Sequence, residues 1–223
     1  MFLGHLAIGF GAKRLAPRLS LGTLILGCQL ADLIWPVLIL IGIERAEVRP
    51  GITTVTPLEF LHYPWSHSLL MLVFWGIALG VVWAAVRRGS VRDGAVLAIV
   101  VVSHWFLDAL THRPDLPLTP WGEVKVGLGL WSSFAGTIAV ELVLFAIGVE
   151  IYRRSTVPRD RTGTWSLAAL VLFLLVVFAA NLFGPPPPEI VAVAWVAQAI
   201  WLLVAWGYWI DRHRMPRDDL RRV

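Results

Sequence analysis

The sequence predicts an all-α fold: a polytopic membrane helix bundle of about six transmembrane helices plus an N-terminal re-entrant half-helix. Three observations predict it. Of 223 residues, 57% are hydrophobic and only 15% are charged, against about 25% charged in a soluble domain. The apolar residues gather into six runs, each long enough to cross a hydrocarbon core of about 30 Å. The loops between these runs alternate in charge. Together these exclude a disordered chain, argue against a soluble globule, and leave no room for a large extramembrane domain.

Residues 1–11 are apolar but too short to span. No basic residue precedes the apolar part, as one would in a signal peptide; Lys13, Arg14 and Arg18 follow it instead. The segment reads as a retained half-helix re-entering the bundle, which is tolerated only where it is buried in protein or faces a cavity. The first span runs about 19–43, interrupted by Asp32, and the second, 68–86, is uncharged. The third covers 94–108, and the fourth, 131–150, is interrupted by Glu141. The fifth (165–184) and sixth (190–210) are uncharged. Period-2 alternation is absent and the runs exceed the usual strand length, so none of the six reads as a strand. In His62-Tyr-Pro-Trp-Ser-His67, Pro64 is placed to stop one helix and start another. Two units are expected: 1–152, carrying the polar site, and 153–223, a C-terminal helical pair with a basic tail.

Basic residues sort by side. Lys13, Arg14 and Arg18, then Arg87, Arg88 and Arg92, then Arg153, Arg154, Arg159 and Arg161, and finally Arg212, Arg214, Arg217, Arg221 and Arg222 fall on one face. Only Arg45, Arg49, Arg113 and Lys125 remain for the other. The positive-inside rule then puts both termini in the cytoplasm. The net charge of +4 is accounted for by topology, without a nucleic-acid partner. Cys28, the single cysteine, has no internal disulfide partner.

Ionisable residues inside a membrane are costly and mark functional candidates. Asp32, His104, Asp108 and Glu141 interrupt apolar spans, His67 opens the second, and His5 lies in the half-helix. At about 1.5 Å per residue, His104 lies roughly 18 Å above the basic surface, Asp32 about 21 Å and Asp108 about 24 Å. These groups share one layer between the midplane and the outer leaflet. His104, Asp108 and His112 follow at i, i+4 and i+8, drifting only about 40° per step, so they share a stripe. Imidazoles and carboxylates on one face suit a first-row metal such as zinc. Blander readings apply elsewhere. Glu59, Asp115 and Glu123 read as solvated loop acids, Asn181 and Gln198 as interhelical hydrogen bonders, and His213 as part of the basic tail. Asp32 has a neighbouring Gln29 to bond, and Glu141 alone would serve as a structural acid.

The order His5, Asp32, His62…His67-Ser68, His104-x-x-x-Asp108 resembles the YdjM-type membrane-bound metal-dependent hydrolases over about residues 1–130; Gly127-Leu-Gly-Leu-Trp131-Ser-Ser leading to Glu141 is also similar. That family is in turn distantly similar to the zinc-dependent phospholipase C and P1 nuclease group. The resemblance implies one metal site from Asp32, His67, His104 and Asp108, and a second that His5 shares through Asp108. The group's third metal set has no match here, and His62, His112 and Glu141 are loose substitutes. Its N-terminal amine ligand is not expected, because Met1 is the initiator. One or two Zn²⁺, or another divalent ion, are therefore expected, with Asp32 or Asp108 as the catalytic carboxylate. The expected activity is hydrolysis of a phosphodiester or ester in a membrane lipid or lipid-linked substrate. The rivals are a proton- or metal-coupled transporter and a structural membrane protein with a metal staple.

Overall fold

Among residues 1–217, which the computed structural model describes, helices dominate and strands are confined to the loops. Arg221 and Arg222, counted above with the basic tail, lie outside the described residues. The half-helix is α1 (Leu3–Ala12). The first span is broken into α2 (Leu21–Cys28) and α3 (Leu30–Leu40), bent by 54° at Gln29. A hairpin of β1 (Arg45–Val48) and β2 (Leu58–His62) follows, then the single turn α4 (Pro64–His67). Long helices α5 (Leu69–Arg87) and α6 (Val91–Thr111) form an antiparallel pair. Strands β3 (Leu116–Pro117) and β4 (Lys125–Val126) pair before α7 (Phe134–Ser155). After β5 (Thr156–Pro158) come α8 (Arg161–Phe183), α9 (Ile190–Ala197), α10 (Ile200–Arg212) and β6 (Arg214–Pro216), which pairs with β5. Five helical segments are long and apolar enough to cross a membrane, α9 and α10 counting as one, and the bent α2–α3 pair makes a sixth. The chain is an integral membrane protein of the predicted class.

Local chemistry sets the helix starts. Ser20, Ser68, Ser90, Ser133 and Asp160 each accept a backbone N–H three residues on, opening α2, α5, α6, α7 and α8. Short oxygen-bearing side chains satisfy the first orphan N–H groups of a helix in this way. Pro64 occupies the first turn of α4, where its missing N–H costs nothing. The spans are helical as expected, and the short strands are confined to the connections. They lie in loops whose backbone groups pair with each other where no helix continues.

Two buried clusters hold the bundle, a smaller one around Trp35, Tyr63, Leu72 and Trp105 and a larger one below it. Leu3, Leu6, Phe10, Leu24, Ile25, Leu97, Phe145, Leu170, Leu174 and Val204 belong to the larger cluster, so α8 and α10 share it with the site-bearing helices. Helix α1 lies along α7. Phe10 meets Phe145 and Tyr152 edge-on at 6.0 and 5.5 Å, and the backbone of Ala7 packs onto Gly148. At the basic end, Asp211 of α10 is a clasp. It accepts from Lys13 Nζ at 2.7 Å, the Leu21 N–H at 2.6 Å and the Tyr152 hydroxyl at 2.8 Å. Lys13 also donates to the Leu19 carbonyl at 2.7 Å and is buried, so this cation is a structural partner as well as a loop charge.

Candidate metal centre

Four elements meet at the site. Helix α1 brings His5, the first turn of α3 brings Asp32, α4 brings His67, and α6 brings His104 and Asp108 with His112 as its C-cap. Asp108 is the hub, fully buried. Its Oδ1 lies 3.0 Å from His5 Nε2 and 2.8 Å from the Met1 amine. Its Oδ2 lies 3.1 Å from His104 Nε2 and 3.9 Å from Nε2 of both His67 and His112. Asp32 Oδ1 lies 3.5 Å from His67 Nε2 and 3.8 Å from His104 Nε2. The His5 and His104 rings stack with centroids 3.6 Å apart. Two triplets, His5/His104/Asp108 and Asp32/His67/His104, each place one ligand atom per residue within 4.8 Å of the others.

The outer partners of these imidazoles decide what the inner nitrogens can be. His104 Nδ1 lies 2.8 Å from the Cys28 carbonyl, which only accepts, so Nδ1 carries the proton. His67 Nδ1 lies 2.7 Å from Ser66 Oγ, whose own proton goes to Glu44 Oε2 at 2.6 Å. His112 Nδ1 lies 3.0 Å from Asp115 Oδ1. In a neutral imidazole with Nδ1 protonated, Nε2 is a bare lone pair. Three such lone pairs therefore face the Asp108 carboxylate, and two of them also face Asp32. Lone pair against carboxylate is repulsive unless a metal ion or an added proton lies between. His104 Nε2 and His5 Nδ1 are buried with no hydrogen-bond partner. The donor set fits a divalent ion: imidazole nitrogens oriented by second partners, with two carboxylates to balance its charge.

The two other sequence candidates stand apart. His62, in β2, is exposed and pairs in register with Arg45. Glu141 is buried, and one oxygen accepts the backbone N–H groups of Phe2, Leu3 and Gly4 at 3.0, 2.6 and 3.3 Å. Sequence reasoning missed three participants. Asp115, read as a solvated loop acid, is largely covered and bonded to His112 and to the Tyr63 hydroxyl at 3.2 Å. The signal was there in its position three residues after His112. Glu44 accepts from the N–H groups of Trp65 and Ser66 at 2.8 and 2.9 Å, and from the Ser66 hydroxyl; burial pushes its carboxyl up from the ordinary range. Nothing in its sequence position marked it. The Met1 amine, not expected at the site, sits fully buried against Asp108.

The end of the site away from the basic loops is roofed. The Trp131 ring lies 4.4 Å from His112, and Phe60 lies 4.9 Å from it. The Thr54 N–H and hydroxyl hold the Trp131 carbonyl at 3.2 and 2.9 Å. Beside this roof, a cavity of about 350 Å³ is lined by Arg113, Asp115, Leu128, Ser132 and the glycines 127 and 129. Within the cluster, the Asp32 side chain is 30% exposed while those of His5, His67, His104, Asp108 and His112 are at most 5%.

Fold and site together define a class: a polytopic membrane protein with a buried histidine–aspartate cluster competent to hold a metal ion. The chain belongs to the family described as YdjM inner membrane protein, whose profile matches residues 1–184. It is also 32% identical over 107 residues to an apolipoprotein N-acyltransferase of Parasynechococcus marenigrum (strain WH8102). That match covers 47% of this chain and 21% of the relative, so the chain spans about a fifth of the relative's length. No solved structure matches.

Proposed function

We propose that this protein is a membrane-embedded, metal-dependent hydrolase acting on a phosphodiester or ester of a membrane lipid or lipid-linked substrate. One observation carries the reading: bare Nε2 atoms of His67, His104 and His112 converge on Asp108 with their Nδ1 protons already committed. His67, His104, Asp32 and Asp108 would hold one divalent ion, and His5 with Asp108 a second. A bound zinc ion supplies Lewis acidity, polarising a phosphoryl or acyl oxygen and making water a nucleophile near neutral pH. Asp108, with both oxygens engaged, fixes the ligands. Asp32 is the carboxylate left facing accessible space, and it would accept the proton of a water activated by the ion. Pro36, four residues on, has no N–H to bond the Asp32 carbonyl, which frees that part of α3 from regular helix hydrogen bonding. The depth of the cluster in the bundle favours a substrate that already resides in the bilayer. The relative named for apolipoprotein N-acyl transfer lends support to chemistry on lipid-bearing molecules.

A transporter needs polar groups continuing across the bundle. Between this site and the Asp211 clasp lie Leu6, Phe10, Leu24 and Leu97, all fully buried and apolar, which weighs against that reading. The test is metal analysis of purified protein beside His104→Ala and Asp108→Ala, paired with hydrolysis of labelled phospholipid in mixed micelles. The reading expects about one or two zinc ions per wild-type chain and loss of metal in both variants. Unchanged metal content in both would sink it.

A further inference from the structure

We propose that Glu141 is a positioning residue that fixes the aim of His5 by capping α1 from a neighbouring helix. The inference rests on the reading of His5 as a metal ligand. A helix leaves its first N–H groups without partners, and inside a bilayer no water is available to them. The residue at the N-cap of α1, Phe2, offers no side-chain acceptor. One oxygen of Glu141, from the middle of α7, supplies what is missing by accepting three successive N–H groups, those of Phe2, Leu3 and Gly4. His5 is the next residue, and its Nε2 lies 3.0 Å from Asp108. The carboxylate thus holds the turn from which His5 projects. Below it, the α1–α7 contact continues through Ala7 on Gly148 and Phe10 on Phe145 and Tyr152. Translation of α1 along α7 is resisted at every turn, and Glu141, together with the Met1 amine on Asp108, fixes the end where the ligand sits. Glu141 is absent from both ligand triplets, so its place in an apolar span is explained by the backbone it caps.

The roles of cap and ligand predict opposite orders among variants. A cap needs an acceptor oxygen at the right reach, which Glu141→Gln keeps and Glu141→Asp withdraws by one methylene. A ligand needs the charge, which Asp keeps and Gln loses. Cobalt(II) titration of the detergent-purified protein, followed by its visible absorption, measures both affinity and coordination. The expected order is wild type close to Glu141→Gln, then Glu141→Asp, with Glu141→Leu weaker by about 10- to 100-fold, the usual range for losing a group that orients a ligand. The Glu141→Leu spectrum should approach that of His5→Ala. Hydrogen exchange of residues 2–5 gives a readout without metal: slow in wild type and Glu141→Gln, faster in Glu141→Asp and Glu141→Leu. Glu141→Asp binding better than Glu141→Gln would overturn the proposal in favour of ligation. Wild-type affinity and exchange in a folded Glu141→Leu would overturn it outright. If wild type binds no metal while the exchange pattern holds, the hydrolase reading fails and the cap survives as a fold feature without an aiming role.

Discussion

Substituting Gly148 by alanine puts the contact that seats α1 to a quantitative test. A methyl group there would fall 2.7 Å from Ala7 Cα and 2.9 Å from the Ala7 carbonyl carbon, and would run into its carbonyl oxygen. All three are backbone atoms of α1 and cannot rotate away. Ordinary carbon contacts begin near 3.4 Å, so α1 must retreat by roughly 1 Å, and overpacking of this kind costs about 1–3 kcal/mol. Gly11, on the same helix and also facing α7, is the control. Its added methyl would meet only Ile151 Cδ1 at 3.8 Å, and removing a helical glycine gains about 1 kcal/mol. Thermal unfolding in detergent should therefore separate the two: Gly148→Ala lower by about 2–4 °C per kcal/mol, and Gly11→Ala unchanged or higher. Because His5 lies two residues from Ala7, zinc affinity of Gly148→Ala should drop at least about tenfold while Gly11→Ala keeps it. Equal melting temperatures and equal affinities for both variants would refute the argument that α1 is seated by this contact.

Glu44→Gln should weaken metal binding about 10- to 100-fold, measured by competition with a chromophoric chelator, because Ser66, which orients His67, loses its anionic acceptor. Asp211→Leu strands the buried Lys13 ammonium and leaves the Leu21 N–H and Tyr152 hydroxyl unpaired. A loss of about 3–5 kcal/mol is expected in denaturant or thermal unfolding, with little change in metal content of whatever remains folded. Asp160, exposed at the start of α8, is held below the ordinary carboxylate range by its hydrogen bond to His213 and by the Gly163 N–H. The stability it adds is complete above the unfolded-chain value and is lost as pH falls through the lowered value. Against Asp160→Asn, the wild-type advantage in melting temperature should hold at pH 6 and vanish on acidification below about pH 3.9.

Much of this was legible in the sequence because the bilayer imposes strong rules. Apolar runs gave the spans to within a few residues, and Pro64 marked the start of α4, although the element it follows is the strand β2 and not a helix. The shared depth of His5, Asp32, His67, His104 and Asp108 anticipated their meeting, since helical rise converts sequence distance into height. What height cannot give is azimuth. Glu141 lies in an apolar span like the others, but it faces the end of α1, so its oxygen meets backbone rather than imidazole. The break at Gln29 was also unreadable, because no proline or glycine occupies it and the bend of 54° shows only in the folded chain. Glu44 and Asp115 sit in loops, where sequence offers polarity but no direction. Their roles depend on hydrogen bonds made after the chain has closed over the site.

The capped half-helix has a consequence for how the protein is made. As synthesis proceeds, α1 precedes the carboxylate that will hold its first turn by 138 residues, and His5 precedes its partner Asp108 by 103. Too short to cross a bilayer, α1 has no stable berth until α6 and α7 have been inserted. The histidine–aspartate cluster is therefore completed late, by docking a waiting segment into an already assembled bundle, and a ribosome stalled before Glu141 would leave a membrane-inserted chain with the cluster unfinished.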